Sequence, residues 1–183
     1  MLWDDFLNSD YHDWRGGGRS EDRLDKPGWL AQQLAGYGLT DPGPLSGEQL
    51  QALKRLRESM LRIVEAFAAG ESAEPADLET LNRFLEAGPI VRRVAAQESG
   101  YSLEAVPLLQ DWTGIAAEIA ASFGRLLAEG ESDRLRICDN PDCRWVYYDE
   151  TRNRSKRYCD DKMCGNLMKV RRFRARKKTS DTK

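Results

Sequence analysis

The chain has 183 residues, of which 40% are hydrophobic and 32% charged, the balance of an ordinary globular protein long enough to bury a core. No apolar run approaches the roughly 18 residues of a membrane span, and the acidic start Met1-Leu2-Trp3-Asp4-Asp5-Phe6 lacks the apolar stretch of a secretory signal. These features exclude an integral membrane protein and make the cytoplasm the expected location. The net charge of −2 conceals a split: residues 1–133 hold 12 basic and 23 acidic side chains, net −11, and residues 134–183 hold 16 basic and 7 acidic, net +9. All four cysteines also lie in the second part. Two domains are expected, 1–133 and 134–183, with the basic one suited to a polyanion.

In the opening 26 residues, Leu2-Trp3 and Phe6-Leu7 start a short strand or packed segment, and Trp14-Arg15-Gly16-Gly17-Gly18 reads as a flexible loop. A short helix spans Pro27 to Ala35, with Gly36 past its end. Ser46 with Gln49 is a capping-box signature. It opens a long helix whose apolar side is Leu50, Leu53, Met60, Ile63, Val64 and Phe67, closed by Gly70. Pro75 to Gly88 frames a second amphipathic helix, with Leu78, Leu81, Phe84 and Leu85 as its stripe. The period then changes: Ile90–Val94 and Tyr101–Val106 resemble two strands around a turn at Glu98-Ser99-Gly100. A last helix runs from about Pro107 to Ala128 and buries Trp112, Ile115, Ile119, Phe123, Leu126 and Leu127. The first part is thus a mainly helical α+β domain with a short hairpin. Its short linker, Gly130-Glu131-Ser132-Asp133, brings the two parts into contact.

The cysteines are spaced Cys138-x4-Cys143-x15-Cys159-x4-Cys164. Two close pairs of thiols supply two edges of a tetrahedron, the arrangement zinc prefers. The turn formers Asp139-Asn140-Pro141-Asp142 fill the first gap. Two disulfides are the alternative, but they need an oxidising compartment. Four thiolates leave no open position, so the expected ion is one structural zinc with no activated water. A segment of about 50 residues has little core and depends on such an ion to fold. Trp145-Val146-Tyr147-Tyr148 reads as a strand, joined through a basic tip to Arg157-Tyr158-Cys159 as a hairpin. A helix starts near Asn166 with Leu167, Val170 and Arg174 on one side. Knuckle, hairpin and helix make a treble-clef-like finger.

The residues from Cys138 to Arg176 are similar to a known family. Cys138-x4-Cys143, Tyr148-Asp149-Glu150-Thr151-Arg152, Arg157-Tyr158-Cys159, Cys164-Gly165-Asn166 and Lys169-Val170-Arg171-Arg172-Phe173-Arg174 resemble the CGNR-type zinc finger. This chain carries Leu167 where that pattern has arginine, so no contact of the family arginine is carried over. The first part resembles the ABATE domain that accompanies this finger in bacterial proteins. That similarity rests on Phe6-Leu7-Asn8-Ser9, the stretch Leu24 to Leu39, Leu53-Lys54-Arg55-Leu56-Arg57 and Leu81-Asn82. The resemblance implies a stress-responsive transcription regulator.

Charge and resemblance therefore converge on a zinc-containing DNA-binding regulator. Between Arg152 and Lys178 lie 12 basic residues. The expected nucleic-acid contacts are Arg152, Arg154, Lys156, Arg157, Lys169, Arg171, Arg172, Arg174, Arg176 and Lys177. One alternative is RNA binding, with Trp145, Tyr147, Tyr148 and Tyr158 stacking on bases. Another is a protein-interaction adaptor that docks through the zinc module. The N-terminal part would sense a small-molecule effector, for which Trp14, Trp29, Tyr37 and Trp112 can line a pocket, or assemble a homodimer. An enzyme is not expected. The lone His12, beside Asp10 and Asp13, has no nucleophile constellation, and Gly16-Gly17-Gly18 lacks the Lys-Ser/Thr of a phosphate loop.

Overall fold

A computed structural model describes the backbone of residues 1–180 and the side chains of residues 1–178; the end of the 134–183 range lies outside the described residues. The element order is α1 (Leu2–Leu7), β1 (Asp10–His12), β2 (Ser20–Asp22), α2 (Trp29–Ala35), α3 (Gly47–Ala68), α4 (Pro75–Ala87), β3 (Ile90–Gln97), β4 (Gly100–Pro107), α5 (Trp112–Glu129), β5 (Leu135–Ile137), β6 (Val146–Tyr148) and α6 (Asn166–Ser180). The fold is α+β, with three separate two-stranded antiparallel sheets. Among the described residues no helix is long and apolar enough to cross a membrane.

Local chemistry explains most boundaries. Ser46 and Gln49 form the expected reciprocal capping box on α3. Pro75 sits in the first turn of α4, and the Asp111 carboxylate accepts from Thr113 N and Gly114 N to cap α5. Pro107 belongs to β4, so α5 starts later than its helical period suggested. The first residues form α1 rather than a strand. Trp3, Phe6 and Leu7 have helical spacing and all three are buried. Gly28 in a left-handed conformation, not Pro27, precedes the first residue of α2.

The core is built by α1, α3 and α5 around Trp3, Phe6, Leu56, Met60, Ile63, Ile119 and Phe123. Leu126 and Leu127, expected among the buried residues of α5, are partly buried and pack against this core. Arg57 on α3 is buried despite its charge. It donates to Ser9 Oγ at 2.7 Å and to both carboxylate oxygens of Asp22 at 2.7 and 2.6 Å. Strands β3 and β4 pair over eight residues, yet they form an arm rather than a core layer. Val94, Tyr101 and Leu103 on one of its faces are 68%, 83% and 69% exposed.

The basic segment packs directly on the helical region. Leu135 on β5 and Val146 on β6 belong to the same core as α1 and α3. Burying each stabilises the fold by about 1.5–3 kcal/mol. Asn8 clamps this junction: its amide donates to Val146 O at 2.9 Å and its carbonyl accepts from Val146 N at 2.8 Å. The pairing of β6 also differs from expectation. Val146–Tyr148 pairs with Leu135–Ile137, not with the segment around Tyr158. The hairpin therefore encloses the first cysteine pair, while the basic residues 150–157 form a loop.

Candidate metal centre and basic surface

Each cysteine is delivered by a different local device. Cys138 follows β5, and its backbone N–H donates to Trp145 O, closing the hairpin at 2.9 Å. Cys143 ends the Asp139–Asp142 turn, where Cys143 N donates to Asn140 O. Cys159 follows the buried Tyr158. Cys164 sits in one wide helical turn, Asp161–Gly165, opened by Asp160 accepting from Met163 N and running directly into α6.

The four sulfurs lie within 4.8 Å of one another. Cys143 Sγ is 3.7 Å from Cys159 Sγ, which is 3.8 Å from Cys164 Sγ. A disulfide requires about 2.05 Å, whereas four sulfurs at about 2.3 Å from one zinc ion are about 3.8 Å apart. The spacing is that of a tetrahedron around a metal. Hydrogen bonding among the sulfurs holds the Cys138 thiol well below the ordinary thiol range and pushes Cys143 and Cys159 above it. A divalent ion favours all four thiolates together.

The surroundings support the centre. Cys159 N donates to Cys138 Sγ at 3.5 Å, and Asn140 Nδ2 donates to Cys164 Sγ at 3.4 Å. The same Asn140 amide donates to Trp14 O at 2.7 Å. The β1–β2 loop, expected to be flexible, is thus fixed on the finger. Arg171 strengthens that contact, donating to Asp142 Oδ2 at 2.5 Å and to Arg15 O at 2.9 Å. Gly16 lies beneath this pair at φ +83°, where an added Cβ would stand 2.8 Å from Arg171 Nη2; the left-handed conformation favours glycine there. Asn8 and Asn140 were not singled out as functional, and Trp14 was expected at an effector pocket rather than on the finger. Two asparagines and one tryptophan have no spacing signature, and only the tertiary contacts reveal their use.

The ten basic residues expected to meet nucleic acid occupy different situations. Arg154 is ion-paired with Glu131 and Asp133, and Arg157 with Asp139 at 2.6 Å. Lys156 lies 5.3 Å from the Tyr147 ring centroid. Arg171 is the latch just described. Met168 packs beside the cysteines and Val170 is exposed, so the inner side of α6 is Leu167, Met168 and Arg171 rather than Leu167, Val170 and Arg174. The wide turn Asp161–Gly165 runs directly into α6. Lys169, Arg172, Arg174, Arg176 and Lys177 occupy exposed positions on α6, and Arg152 is exposed on the loop. Buried Asp149 shapes that loop. It accepts from Thr151 N, Thr151 Oγ1 and Lys156 N at 2.9, 2.6 and 2.9 Å. Burial raises its pKa, but these bonds outweigh it and hold the carboxyl below the ordinary value.

The aromatic residues of the finger are largely spent on packing. Tyr147 and Tyr158 are each 7% exposed, and Trp145 packs against the same cluster. His12 Nε2 lies 3.3 Å from Asp10 Oδ2. Of the four aromatic residues expected around an effector pocket, Trp14 contacts the finger, whereas Trp112 borders cavities of the helical region.

Two family models match the chain. Residues 2–130 match ABATE, described as "Putative stress-induced transcription regulator", and residues 134–177 match the CGNR zinc finger. A search of curated proteins gives no match. The matched families are of regulator and zinc-finger type, not enzymes. The finger match and the four-sulfur cluster together support one structural Zn2+. With a regulator model covering 2–130 and a zinc-finger model covering 134–177, the chain belongs to the ABATE family and carries a CGNR zinc finger.

Proposed function

We propose that this protein is a DNA-binding transcription regulator whose zinc centre holds a basic helix for contact with the duplex, while residues 1–133 sense a signal or assemble a dimer. The observation that carries this reading is the position of α6. It starts at the last zinc ligand, is latched by Arg171, and then presents exposed Lys169, Arg172 and Arg174. In this role the zinc fixes the helix and loop in space, and the contacts to phosphate are electrostatic. Arg152, exposed beside the Asp149 turn, is the loop's candidate for a further phosphate contact. Arg154, Arg157 and Arg171 are engaged within the protein, so they shape the surface and contribute less to phosphate binding. The packed state of Tyr147 and Tyr158 argues against a base-stacking platform for RNA.

Fluorescence anisotropy with duplex DNA and single-stranded RNA at two or more salt concentrations tests the proposal. If about five phosphates are neutralised, the slope of log K against log salt is about −4.5. Arg172→Ala and Arg174→Ala each reduce that slope by about one. Salt-independent binding, or equal affinity for RNA, contradicts the reading.

A further inference from the structure

The helical region contains several cavities, and their charge distinguishes them. Those beside α1 and α2 include carboxylates in their walls, Glu118 and Glu129 in one and Asp25 and Asp41 in the other. A cavity of about 430 Å³ between α3, α4 and α5 is different. Its apolar wall is formed by Leu53, Phe84, Trp112 and Ala116, and its charged members are Arg55 and Arg83. No aspartate or glutamate is among the described residues that line it. That is unexpected on composition alone, because residues 1–133 hold nearly twice as many acidic as basic side chains. Arg83 touches Glu79 at 3.0 Å, but both are 67% exposed and the pair is exchangeable. Trp112 Nε1 donates to Gly43 O at 3.0 Å, which fixes the indole as part of the wall. The volume falls in the range of small-molecule sites, which combine apolar walls with a few placed polar groups.

We infer that this cavity binds a small amphipathic carboxylate, its hydrocarbon body against Trp112 and Phe84 and its carboxylate met by Arg55 and Arg83. Guanidinium groups suit this role because they donate to a carboxylate in a planar, bidentate geometry. The ligand would bridge three helices, of which α3 also packs on β5 of the finger and α5 leads into the linker. Occupancy is therefore positioned to alter how the finger is held. The inference concerns ligand binding alone and does not depend on whether the finger contacts DNA.

Isothermal titration of the zinc-loaded full chain tests it, with 2-naphthoate and octanoate as anionic probes and 2-naphthamide as the uncharged counterpart. Binding of 2-naphthoate is expected at least about tenfold tighter than that of 2-naphthamide. Arg55→Gln and Arg83→Gln are surface changes that leave the fold intact. Each is expected to weaken 2-naphthoate about fivefold and leave 2-naphthamide unchanged. Ala52→Phe fills the cavity and removes binding of all three probes; a thermal melt checks that this variant is folded, and the arginine variants decide the matter if it is not. The inference is overturned if neither anion binds at about 5 mM, far above the range of a specific site. It is equally overturned if the amide binds as tightly as the acid, or if the arginine variants leave the acid unaffected.

Discussion

Asn8 joins two segments 138 positions apart through both sides of one amide. Removing it leaves Val146 N and Val146 O buried without these partners, and an unsatisfied buried backbone group costs about 1–3 kcal/mol. Asn8→Ala is therefore expected to lower unfolding stability by about 2–4 kcal/mol in urea titrations of the zinc-loaded chain. Exposed Asn82→Ala should stay within about 0.5 kcal/mol. Two aspartates beside this network respond to pH with opposite signs. Burial is the main cause that pushes Asp4 up to about 6, with Asp5 adding to it and Asn8 opposing it. Its folded pKa exceeds the ordinary 3.8, so ionised Asp4 works against the fold above pH 6, and that cost fades as pH falls toward 3.8. Burial also raises Asp22, but hydrogen bonds from Arg57 and Lys54 outweigh it and hold the carboxyl at about 2. Ionised Asp22 stabilises the fold above pH 3.8, and that contribution is lost as pH falls through 2. Equilibrium unfolding between pH 5 and 8 should accordingly find Asp4→Asn more stable than the parent at pH 8, with the gain shrinking toward pH 5. Asp22→Asn should be less stable throughout.

Among the elements, α6 and the β3–β4 arm show what attachment requires. The first turns of α6 touch the body through Leu167, Met168 and Arg171. Fifteen residues of helix with little apolar contact are marginal alone, so the latch from Arg171 to Asp142 and Arg15 O has a large share in orienting it. Arg171→Ala is expected to cost about 1–2 kcal/mol and to speed zinc transfer to a chelator several-fold. DNA affinity should fall through lost orientation, with a salt slope close to that of the parent. A loss of slope equal to that of Arg172→Ala would instead make Arg171 a phosphate contact. The arm satisfies its backbone by eight cross-strand pairs but buries little of either face. Strand propensity and the turn at Gly100, φ +122°, favour its pairing.

At the scale of the molecule, charge divides the chain at residue 133, but packing does not. Leu135 and Val146 close the core that Trp3, Met60 and Phe123 begin. Metal binding is coupled to folding of the finger, and through these two side chains to the helical region. Chelation of the zinc is expected to lower the melting temperature of the helical core by about 5–10 °C, read from tryptophan fluorescence at Trp3 and Trp112. Separate transitions, with the helical one indifferent to zinc, would show that the shared core contributes no coupling.

Much of this architecture was legible in the sequence because its causes are local. The capping box at Ser46, Pro75 in the first turn of α4 and the periods of α3 to α5 each act within a few residues. Four soft ligands in two close pairs likewise leave few stable outcomes besides a tetrahedral metal. What the chain alone left open depends on distant partners. The pairing of β6 with β5, the burial of Arg57, the inner side of α6 and the fixing of Gly16 beneath Arg171 are settled by contacts between segments far apart. So is the division of the basic residues between latches and open surface. An arginine has the same charge wherever it lies in the sequence, and only the folded chain determines whether a carboxylate of its own or a solvent-facing surface receives it.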